Sequence, residues 1–593
     1  MAVTFTEDEK KKLLSYLEGE METALREVYE PLQAHRDEWE KTYKGEVLPR
    51  AQRWQSNVPI QMASTFTDAV TARILNTLWA YKPFYKLTPT KNNEWVQVVK
   101  QVEEFLDLKV RGDGGFYNAL RKGLFEAVRL GTGAILTPWV RETVRAKRRY
   151  LFWEGAAEEV VYNFVKAQHV PLRSLLFPGG FSELEELPWW ARRLYWTPLL
   201  VEELRASGEY DIPDTVLKYE EQLPEAEQSA LERAGEEPYN TRRIIAWDVW
   251  FKYKTKAGVK RYVATLHLPT RTVMRLEEDT YPRWPLFLFR YGPRDASLYG
   301  LGIVEVTKPY DDALHALYNL LIDNYKISTN QCLKVRKGTS LGPDTEVFPG
   351  KIFRVDAVDD VEAFALGQPF VLNPQFPRMI WDLGERRAGV SDYSLGRESP
   401  IVGHRATATA TMALIQEGQR RFDLVISDIR EELARLGLYV LEMMQTRLDK
   451  KEAYLVFGEK GEYVEKYLTL PNSPARACVK VNVASVAMNK EVAKQDAMVT
   501  YQLLSQHYQA IAQVMLQLAN PNIPPEFRDF LVRVAQAATE KLKEVLEAYG
   551  GVGVEKYSDV VNLPTEEGGG GWSPPESQAA WSESSSDILS GGL

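Results

Sequence analysis

The sequence predicts an α+β protein that is mainly helical, and three observations lead to that fold class. One stretch, 407–448, carries apolar residues at alternating steps of three and four, the spacing of one face of a long helix. Shorter segments with the same spacing occupy much of the chain before Gly131. Short runs rich in β-branched and aromatic residues, most clearly within 134–178 and 243–289, are typical of strands.

Composition narrows the class of protein. The 593 residues suffice for about two to four domains with substantial cores. A net charge of -9 argues against a static DNA binder, which would normally be basic, but not against a protein through which nucleic acid passes. The charged N-terminus predicts no signal peptide, and no apolar run approaches the roughly 18 residues of a membrane span. The protein is therefore expected in the cytoplasm or in something assembled there.

Motifs of enzymes and of metal sites are absent from the sequence. The two cysteines, Cys332 and Cys478, cannot form a cysteine-rich zinc site, and the six histidines show no paired ligand spacing. Gly350-Lys351 lacks the earlier glycine and the following Ser or Thr of a nucleotide-binding loop. Adjacent carboxylates such as Asp311 and Asp312 do not face each other on a helix. These observations predict no enzyme, no metal and no cofactor, although catalytic residues can converge from distant positions.

The N-terminal part of the chain reads as helices followed by strands. Residues 7–45 predict one or two amphipathic helices. Further helices are expected at 62–81, about 94–111 and 116–130. Gly131-Thr-Gly133 predicts a turn at a helix C-terminus, because no strand precedes it as in a dinucleotide-binding loop. The basic run Arg141–Arg149 predicts a solvated hairpin edge, with contact to nucleic acid or a partner as the less favoured alternative.

The middle of the chain is predicted to contain a helical insert, two further helices, a β-like module and a polar loop. A polar, Glu-rich helical insert is expected at 185–238. A helix is expected to begin at Pro309, with Asp311 and Asp312 in its first turn, where the helix dipole favours acidic groups. A compact β-like module follows, then a helix from Pro377 and a glycine-containing polar loop. Such a loop between two strong helices is often functional.

The order of several motifs resembles the portal, or head-to-tail connector, proteins of tailed bacteriophages. The similarity covers about residues 50–450, and its specificity depends on the order of motifs rather than on any single one. The motifs are, in chain order, Ser56-Asn-Val-Pro59, VPLRSLLFPGG at 170–180, Tyr299-Gly-Leu-Gly through Pro309, Asp323-Asn324, Lys334-Val-Arg-Lys-Gly-Thr339, Pro349-Gly-Lys-Ile352, VSDYSLG at 390–396 and Gln416 through Phe422.

The resemblance implies an α+β portal fold with a wing, stem, clip and crown and a long tunnel helix, assembling as a ring that is typically a dodecamer. By position it implies a wing at 1–307 (with the insert at 185–238), stem helix 1 at 308–328, a clip at 329–374, stem helix 2 at 375–395, a tunnel loop at 396–406, the long tunnel helix at 407–448, a second part of the wing at 449–499, a crown at 500–560 and a disordered tail at 561–593.

The resemblance also implies a function: a DNA conduit at one capsid vertex for genome packaging, retention and ejection. Implied partners are double-stranded DNA, the terminase large subunit, a major capsid or scaffolding protein and a head-completion or tail adaptor protein, with assembly in the host cytoplasm and no membrane. Candidate DNA-facing residues of the tunnel loop are Gly403, His404, Arg405 and Thr407, and basic candidates of the clip are Lys334, Arg336, Lys337, Lys351 and Arg354. The loop is favoured over the clip, because alternating cations on a strand often form only its exposed face.

Two alternatives of other classes remain at this point. One is a DNA-processing enzyme such as a terminase or nuclease, which would need a nucleotide loop or a clustered acidic metal site. The other is a monomeric minor head protein or adaptor.

Overall fold

The structure is a computed structural model that describes the chain in segments. It divides into two compact units, Met1–Ala487 and Met488–Leu593, and the described residues of the second unit are isolated positions between 502 and 513. The predicted crown and tail therefore lie almost entirely outside the described residues. The described segments are 6–46, 54–80, 82–89, 96–112, 114–150, 153–219, 221–222, 242–255, 258–295, 297–329, 332–337, 357–364, 375–390, 408–448 and 477–481, with a few single positions such as Arg354.

The described part of the first unit combines helices with antiparallel strands, which confirms the α+β class. A π-helical turn, Leu25–Tyr29, joins the first two helices. The helices are α1 (Glu7–Ala24), α2 (Glu30–Lys44), α3 (Met62–Trp79), α4 (Val96–Arg111), α5 (Phe116–Leu130), α6 (Pro198–Ser207), α7 (Asp214–Leu217), α8 (Ile303–Thr329), α9 (Gln375–Ala388) and α10 (Ala408–Arg447).

The strands form one broad sheet and several smaller ones. They are β1 (Tyr85–Pro89), β2 (Thr132–Leu136), β3 (Trp139–Tyr150), β4 (Trp153–Val165), β5 (Gln168–His169), β6 (Leu175–Leu176), β7 (Trp189–Trp196), β8 (Glu221–Gln222), β9 (Arg242–Thr255), β10 (Gly258–His267), β11 (Thr272–Glu278), β12 (Leu286–Arg290), β13 (Cys332–Val335), β14 (Val361–Phe364) and β15 (Ala477–Val481). The broad sheet has the order β11-β10-β9-β7-β6, with β8 also paired to β9, and a second sheet has the order β12-β2-β5. The remaining pairs are β1 with β15, β3 with β4 and β13 with β14.

The broad sheet buries apolar side chains on both faces, as two adjacent tryptophans of β7 show. Trp189 packs in the cluster that includes Leu17 and Met21 of α1. Trp190 belongs to the cluster on the other face, where its ring stacks on Trp250 with centroids 4.0 Å apart. Because successive side chains of a strand point to opposite faces, Trp189 and Trp190 contribute to the apolar clusters on both faces of the broad sheet.

The Glu-rich segment is helical only in part, so the prediction of a helical insert over 185–238 was wrong for its first portion. Trp189–Trp196 is a strand inside the broad sheet, paired with β9 along its full length. Helices appear afterwards, at α6 and α7. The aromatic residues of β7 determine this structure, because their burial outweighs the polar composition of the surrounding sequence.

Helix α8 begins earlier than predicted. It starts at Ile303, and Pro309 lies inside it rather than at its first position. The prediction that Asp311 lies in the first turn near solvent was therefore wrong. Asp311 lies about two turns after the start of the helix and is buried. Ile303 and Val304 are buried in the core, so their packing determines where the helix begins. The position of Pro309 alone suggested a later start.

Helix α9 ends where the periodicity predicts, at about Ala388, and it lies within the segment 375–395 that the resemblance assigns to the second stem helix. Its last residue is Ala388, and Gly389 follows with a φ of 73°, a left-handed conformation that favours glycine. The backbone N–H of Val390 then donates to the carbonyl oxygen of Glu385 at 3.0 Å, which closes the helix terminus. Residues 391–395 lie outside the described residues.

A glycine junction holds the start of α8 against the end of α5. A Cβ atom at Gly300 would lie 2.4 Å from the carbonyl oxygen of Gly131, and one at Gly302 would lie 2.4 Å from that of Arg129. Gly131 has a φ of 96° and ends α5, with its N–H donating to Ala127, so the predicted helix C-terminal turn is confirmed. Only residues without a side chain allow the two backbones to approach this closely.

A polar ladder binds an extended segment, residues 54–62, along α8; we call this segment the strap. The N–H of Ser56 donates to Asp323 at 2.6 Å, and the N–H of Met62 donates to Asp311 at 3.2 Å. Between them, the side chain of Asn319 accepts from the N–H of Val58 at 2.8 Å and donates to its carbonyl oxygen at 3.0 Å. The three helix side chains are all buried. The ladder therefore satisfies backbone groups that would otherwise be buried without partners.

We expect Gly300→Ala to lower the free energy of unfolding by about 3 kcal/mol, since its Cβ would also lie 2.6 Å from the carbonyl oxygen of Gly292, and backbone atoms cannot move aside cheaply. Gly19→Ala is the matched control. It lies within α1 with no atom within 4 Å of the added Cβ, and a gain of about 1 kcal/mol is expected there from helix propensity. Denaturant unfolding of both variants measures the difference, and equal stability of Gly300→Ala and the natural chain would contradict the tight junction.

Burial raises the pKa of Asp311 to about 6, and backbone N–H donors offset this only in part. Because the folded-state pKa lies above the ordinary value of 3.8, folding favours the protonated carboxyl, and its contribution to stability falls as pH rises from about 4 through about 6. We expect Asp311→Asn, which keeps an acceptor for Met62, to remove this dependence. The readout is the difference in unfolding midpoint between the natural chain and the variant from pH 4 to pH 8, with the exposed Asp312→Asn as control. A difference that stays constant over that range would contradict the prediction.

Candidate functional site

Helices α8 and α9 pack side by side and are anchored to α3. A Cβ atom at Gly384 would lie 2.8 Å from the Met62 sulfur and 3.7 Å from Tyr310 Cβ, so glycine permits close contact here. The Trp381 ring meets Phe66 edge-on with centroids 5.4 Å apart, and its indole N–H donates to Glu385 at 2.7 Å. One side of the α8–α9 pair is therefore packed against α3, and its other faces are available to solvent or to partners.

Both helices carry exposed apolar side chains on those outer faces. On α9 they are spaced three and four residues apart: Phe376 is 45% exposed, Met379 49% and Leu383 42%. On α8 the same spacing brings together exposed Ala313, Ala316 and Leu320, of which Leu320 is 66% exposed. We call these the α9 stripe and the α8 stripe. Sequence reasoning missed both, although their periodicity and length were visible signals.

The β13–β14 pair is the described core of the predicted clip and carries three of its basic candidates. Lys334 lies 3.8 Å from Glu362, and Arg336 lies 3.5 Å from Asp360, across the two strands. The N–H of Arg336 also donates to the carbonyl oxygen of Asp360 at 3.1 Å. Lys334, Arg336 and Lys337 are exposed, as is the separately described Arg354. Lys351 lies outside the described residues. This geometry matches the alternative of an exposed strand face, and DNA contact by these residues stays a prediction.

The tunnel-loop candidates Gly403, His404, Arg405 and Thr407 lie outside the described residues. Helix α10 begins directly after them, at Ala408, and runs to Arg447, within one residue of the predicted ends at 407 and 448. Its side chains are described from Asp423 onward. In that half the predicted stripe is buried at every position, namely Ile426, Ile429, Leu433, Leu436, Val440 and Met443.

The buried half of α10 packs on strands of its own chain. A Cβ at Gly437 would lie 2.6 Å from the Tyr85 ring and 2.8 Å from Val479, so β1 and β15 approach the helix at a glycine. The Tyr439 hydroxyl donates to the Thr137 carbonyl oxygen at 3.0 Å. Burial raises the pKa of Glu432 on the same helix to about 7, while Arg435 opposes the shift.

The described segments contain neither a candidate metal site nor a candidate membrane span. Among those residues, no group of three or more His, Cys, Asp or Glu side chains is placed to hold a metal ion. None of the helices described is both long and apolar enough to cross a membrane.

Comparison with known proteins identifies the family. The family model of the phage SU10 portal protein matches residues 156–541, well over half of the chain. A search of curated proteins gave no match. The matched region includes the broad sheet, the α8–α9 pair, the β13–β14 pair and α10. The chain therefore belongs to the phage SU10 portal protein family, and it is a structural, non-enzymatic component of the virion capsid that conducts phage DNA at a capsid vertex.

Proposed function

We propose that many copies of this chain, typically a dodecamer, close a ring whose centre is the DNA channel. The observation that carries the proposal is the pair of exposed stripes on α8 and α9. Apolar side chains that recur along helix faces and remain exposed in one chain mark a surface that a second chain covers. The two stripes differ in composition and lie on different helices. We therefore expect each stripe to pack better on the other stripe of a second copy than on its own counterpart.

The stripes suit contact between unlike surfaces. The α9 stripe is bulky, with Phe376, Met379 and Leu383, whereas two of the three residues in the α8 stripe are alanines. Bulky side chains on one helix pack into the shallow surface that small residues leave on another. A contact between two different surfaces is heterologous, and repetition of such a contact generates a ring when its rotation closes. The α9 stripe of one copy is proposed to pack on the α8 stripe of the next.

Within that ring we assign parts by the family's architecture. The wing comprises 1–307 together with 449–499, and the strand pair β1–β15 links these two portions. The stem helices are α8 and α9, and the clip is the intervening segment 329–374. The tunnel loop at 396–406 leads into the long helix α10, and the crown follows at 500–560.

The loop is proposed to face DNA through Gly403, His404, Arg405 and Thr407. A conduit must let DNA slide, and numerous phosphate contacts give tight binding instead. The clip cations Lys334 and Arg336 already have carboxylate neighbours, which weakens their attraction for phosphate. The loop cations are therefore the better candidates for brief contacts during packaging and retention.

The remaining partners are proposed from the family role. The chain lacks a nucleotide-binding loop, so the ATP-driven motor would be a separate terminase large subunit, which we place on the clip. A major capsid or scaffolding protein would contact the wing, and a head-completion or tail adaptor protein would replace the motor after packaging. Assembly is proposed to occur in the host cytoplasm.

The ring is tested by placing charges on the α9 stripe. We expect the natural protein to elute as an assembly many times the chain mass of 67.7 kDa in size-exclusion chromatography with light scattering. Met379→Glu combined with Leu383→Glu should shift the mass toward that of a monomer, because burying two carboxylates in an apolar contact is costly. Leu199→Glu, at a leucine of α6 that is 68% exposed, is the matched control and should leave the mass unchanged.

Two results would contradict the assembly surface. If the natural protein stayed monomeric under assembly conditions, the minor head protein alternative would gain support. If the double variant formed rings as readily as the control, the ring contact would lie elsewhere. Circular dichroism of each variant establishes that the chain is folded.

The loop is tested by deletion. Removing about 397–405 should leave rings intact but reduce the amount of DNA packaged or retained, since Gly403, His404 and Arg405 are lost while α8 and α9 are unchanged. The clip variant Lys334→Ala combined with Arg336→Ala is the comparison, and DNA retention within about twofold of the natural level is expected there because those cations are already paired. Loss of ring assembly on loop deletion would show that the loop is structural instead.

A further inference from the structure

The strands β3 and β4 form a long hairpin whose base is anchored in the core. They contain 12 and 13 residues, so the hairpin extends about 40 Å at the usual rise per residue. At the base, Phe164 is fully buried in an apolar cluster, and the Trp139 indole N–H donates to Asn163 at 2.9 Å. A shift in register separates this base from residues 143–150 and 153–160, which we call the outer hairpin.

Both edges of the hairpin lack a further strand within the described segments. There, β3 and β4 form a sheet of two strands. An edge strand presents a row of backbone N–H and C=O groups that can pair with another chain. A sheet of two strands is also only marginally stable in water, and a third strand or a packed layer normally supports it. A hairpin of this length therefore indicates a partner along its edges.

The two strands of the outer hairpin carry opposite charge. Every charged residue of β3 in it is basic, and every charged residue of β4 in it is acidic. These residues are Arg145, Lys147, Arg148 and Arg149 on β3, and Glu154, Glu158 and Glu159 on β4. One edge of the hairpin therefore belongs to a basic strand and the other edge to an acidic strand.

The register balances only some of these charges inside the hairpin. Two of the four cations of β3 lie directly opposite a glutamate of β4. Lys147 lies instead opposite Ala156. The next residue, Arg148, lies opposite Gly155. Glu159 of β4 is likewise opposite an uncharged residue. Positive charge on β3 and negative charge on β4 can therefore attract a strand outside the hairpin.

The charges also select which edges can meet. Opposite charges across a strand pair stabilise it, and like charges destabilise it. Two β3 edges, or two β4 edges, would repel each other, whereas β3 of one copy is complementary to β4 of another. When copies are related by rotation and their hairpins lie side by side, β4 of one copy runs antiparallel to β3 of the next. Such a contact joins two different edges, so it can repeat around a ring.

We propose that, in the assembled ring, β4 of each copy pairs with β3 of the next copy as antiparallel strands along the outer hairpin. This inference rests on the ring proposed above and adds to it a contact in the wing, beside the contact of the α8 and α9 stripes. Every hairpin edge then has a partner, which removes the hazard of open edges. The basic run Arg141–Arg149 thus serves contact with a second copy rather than with nucleic acid.

Two charge variants of the full chain test this pairing. The acidic variant gives β3 a negative net charge in the outer hairpin, and the basic variant gives β4 a positive one. The substitutions of the acidic variant are Lys147→Glu, Arg148→Glu and Arg149→Glu. Those of the basic variant are Glu154→Lys, Glu158→Lys and Glu159→Lys.

Each variant alone should form weaker rings, because both of its hairpin edges then carry charge of the same sign. We expect the protein concentration at which rings dissociate, measured by light scattering, to rise about tenfold or more. An equimolar mixture should recover the natural concentration, because an alternating ring brings edges of opposite sign together at every contact. Repulsion inside each hairpin persists in the mixture, so the recovery reports contact between copies.

A second pair of variants controls for net charge. It makes the same changes of charge at exposed residues of α4, α5 and the segment that follows β7. One control carries Lys100→Glu, Arg121→Glu and Lys122→Glu, and the other carries Glu202→Lys, Glu203→Lys and Glu209→Lys. Each control should form rings as the natural chain does, and mixing the two should change nothing.

Hydrogen exchange supplies a measurement that leaves the hairpin unaltered. In the natural ring, the outward-facing backbone N–H groups of β3 and β4 should exchange slowly, because they are bonded to the next copy. In single chains obtained by dilution, the same groups should exchange about tenfold faster or more. This measurement decides the matter if circular dichroism shows that a charge variant is unfolded.

Several results would overturn the hairpin contact while leaving the ring intact. They are normal rings in either charge variant, a mixture no more stable than its components, and equal exchange at the edges in rings and in single chains. In that case the edges would be left for a strand of another protein. A natural chain that stays monomeric would overturn the ring and the hairpin contact together, so the two failures are distinguishable.

Discussion

The polar ladder between the strap and α8 is the interaction on which the arrangement of the proposed ring contact depends. Asp311, Asn319 and Asp323 lie on one side of the helix and bind backbone groups of residues 54–62. Because a helix advances about 100° per residue, the α8 stripe lies roughly a third of a turn from the ladder. The ladder therefore fixes the rotation of α8 about its axis and, with it, the direction in which the stripe faces. A nonspecific apolar contact would leave that rotation less well defined, since hydrophobic burial has no directional requirement.

The glycine junction at Gly131 and Gly300 adds the second constraint, which is the position of the helix start. Backbone contact at this junction sets where α8 leaves the core, and the ladder sets how it is turned along its length. Helix α9 then follows, because Gly384 lets it pack closely on Met62 at the end of the strap. Three local features that each involve glycine or buried polar groups thus define one rigid pair of helices. Rigid elements present an interface with less loss of entropy on association than mobile ones do.

Sequence periodicity predicted α10 to within a residue at each end, because a long helix is determined by spacing that is local in the chain. The predicted apolar stripe is buried wherever its side chains are described. Periodicity failed at α8, where the start depends on contacts with residues far away in sequence and Pro309 suggested a later beginning. It also failed at Trp189–Trp196, where a Glu-rich neighbourhood concealed a strand. Asp311 looked like surface charge, and its burial depends on a strap some 250 residues earlier in the chain. The order of motifs predicted the family, while the exposed stripes on α8 and α9 became visible only in the three-dimensional arrangement.

This acidic chain is suited to conduct DNA because many of its described cations form ion pairs with carboxylates of the same chain. Described arginines and lysines repeatedly contact carboxylates of their own chain: Arg336 lies beside Asp360, Arg283 binds Glu442, and Arg173 binds Glu40 at 2.5 Å. A cation held in such a pair releases few counterions when it approaches a phosphate, so it adds little to DNA affinity. A ring repeats each surface many times around its channel, and even a weak phosphate contact would be multiplied by the number of copies. In the proposed ring, internal pairing of the cations would keep DNA affinity low, because many repeated unpaired cations would bind the phosphates tightly.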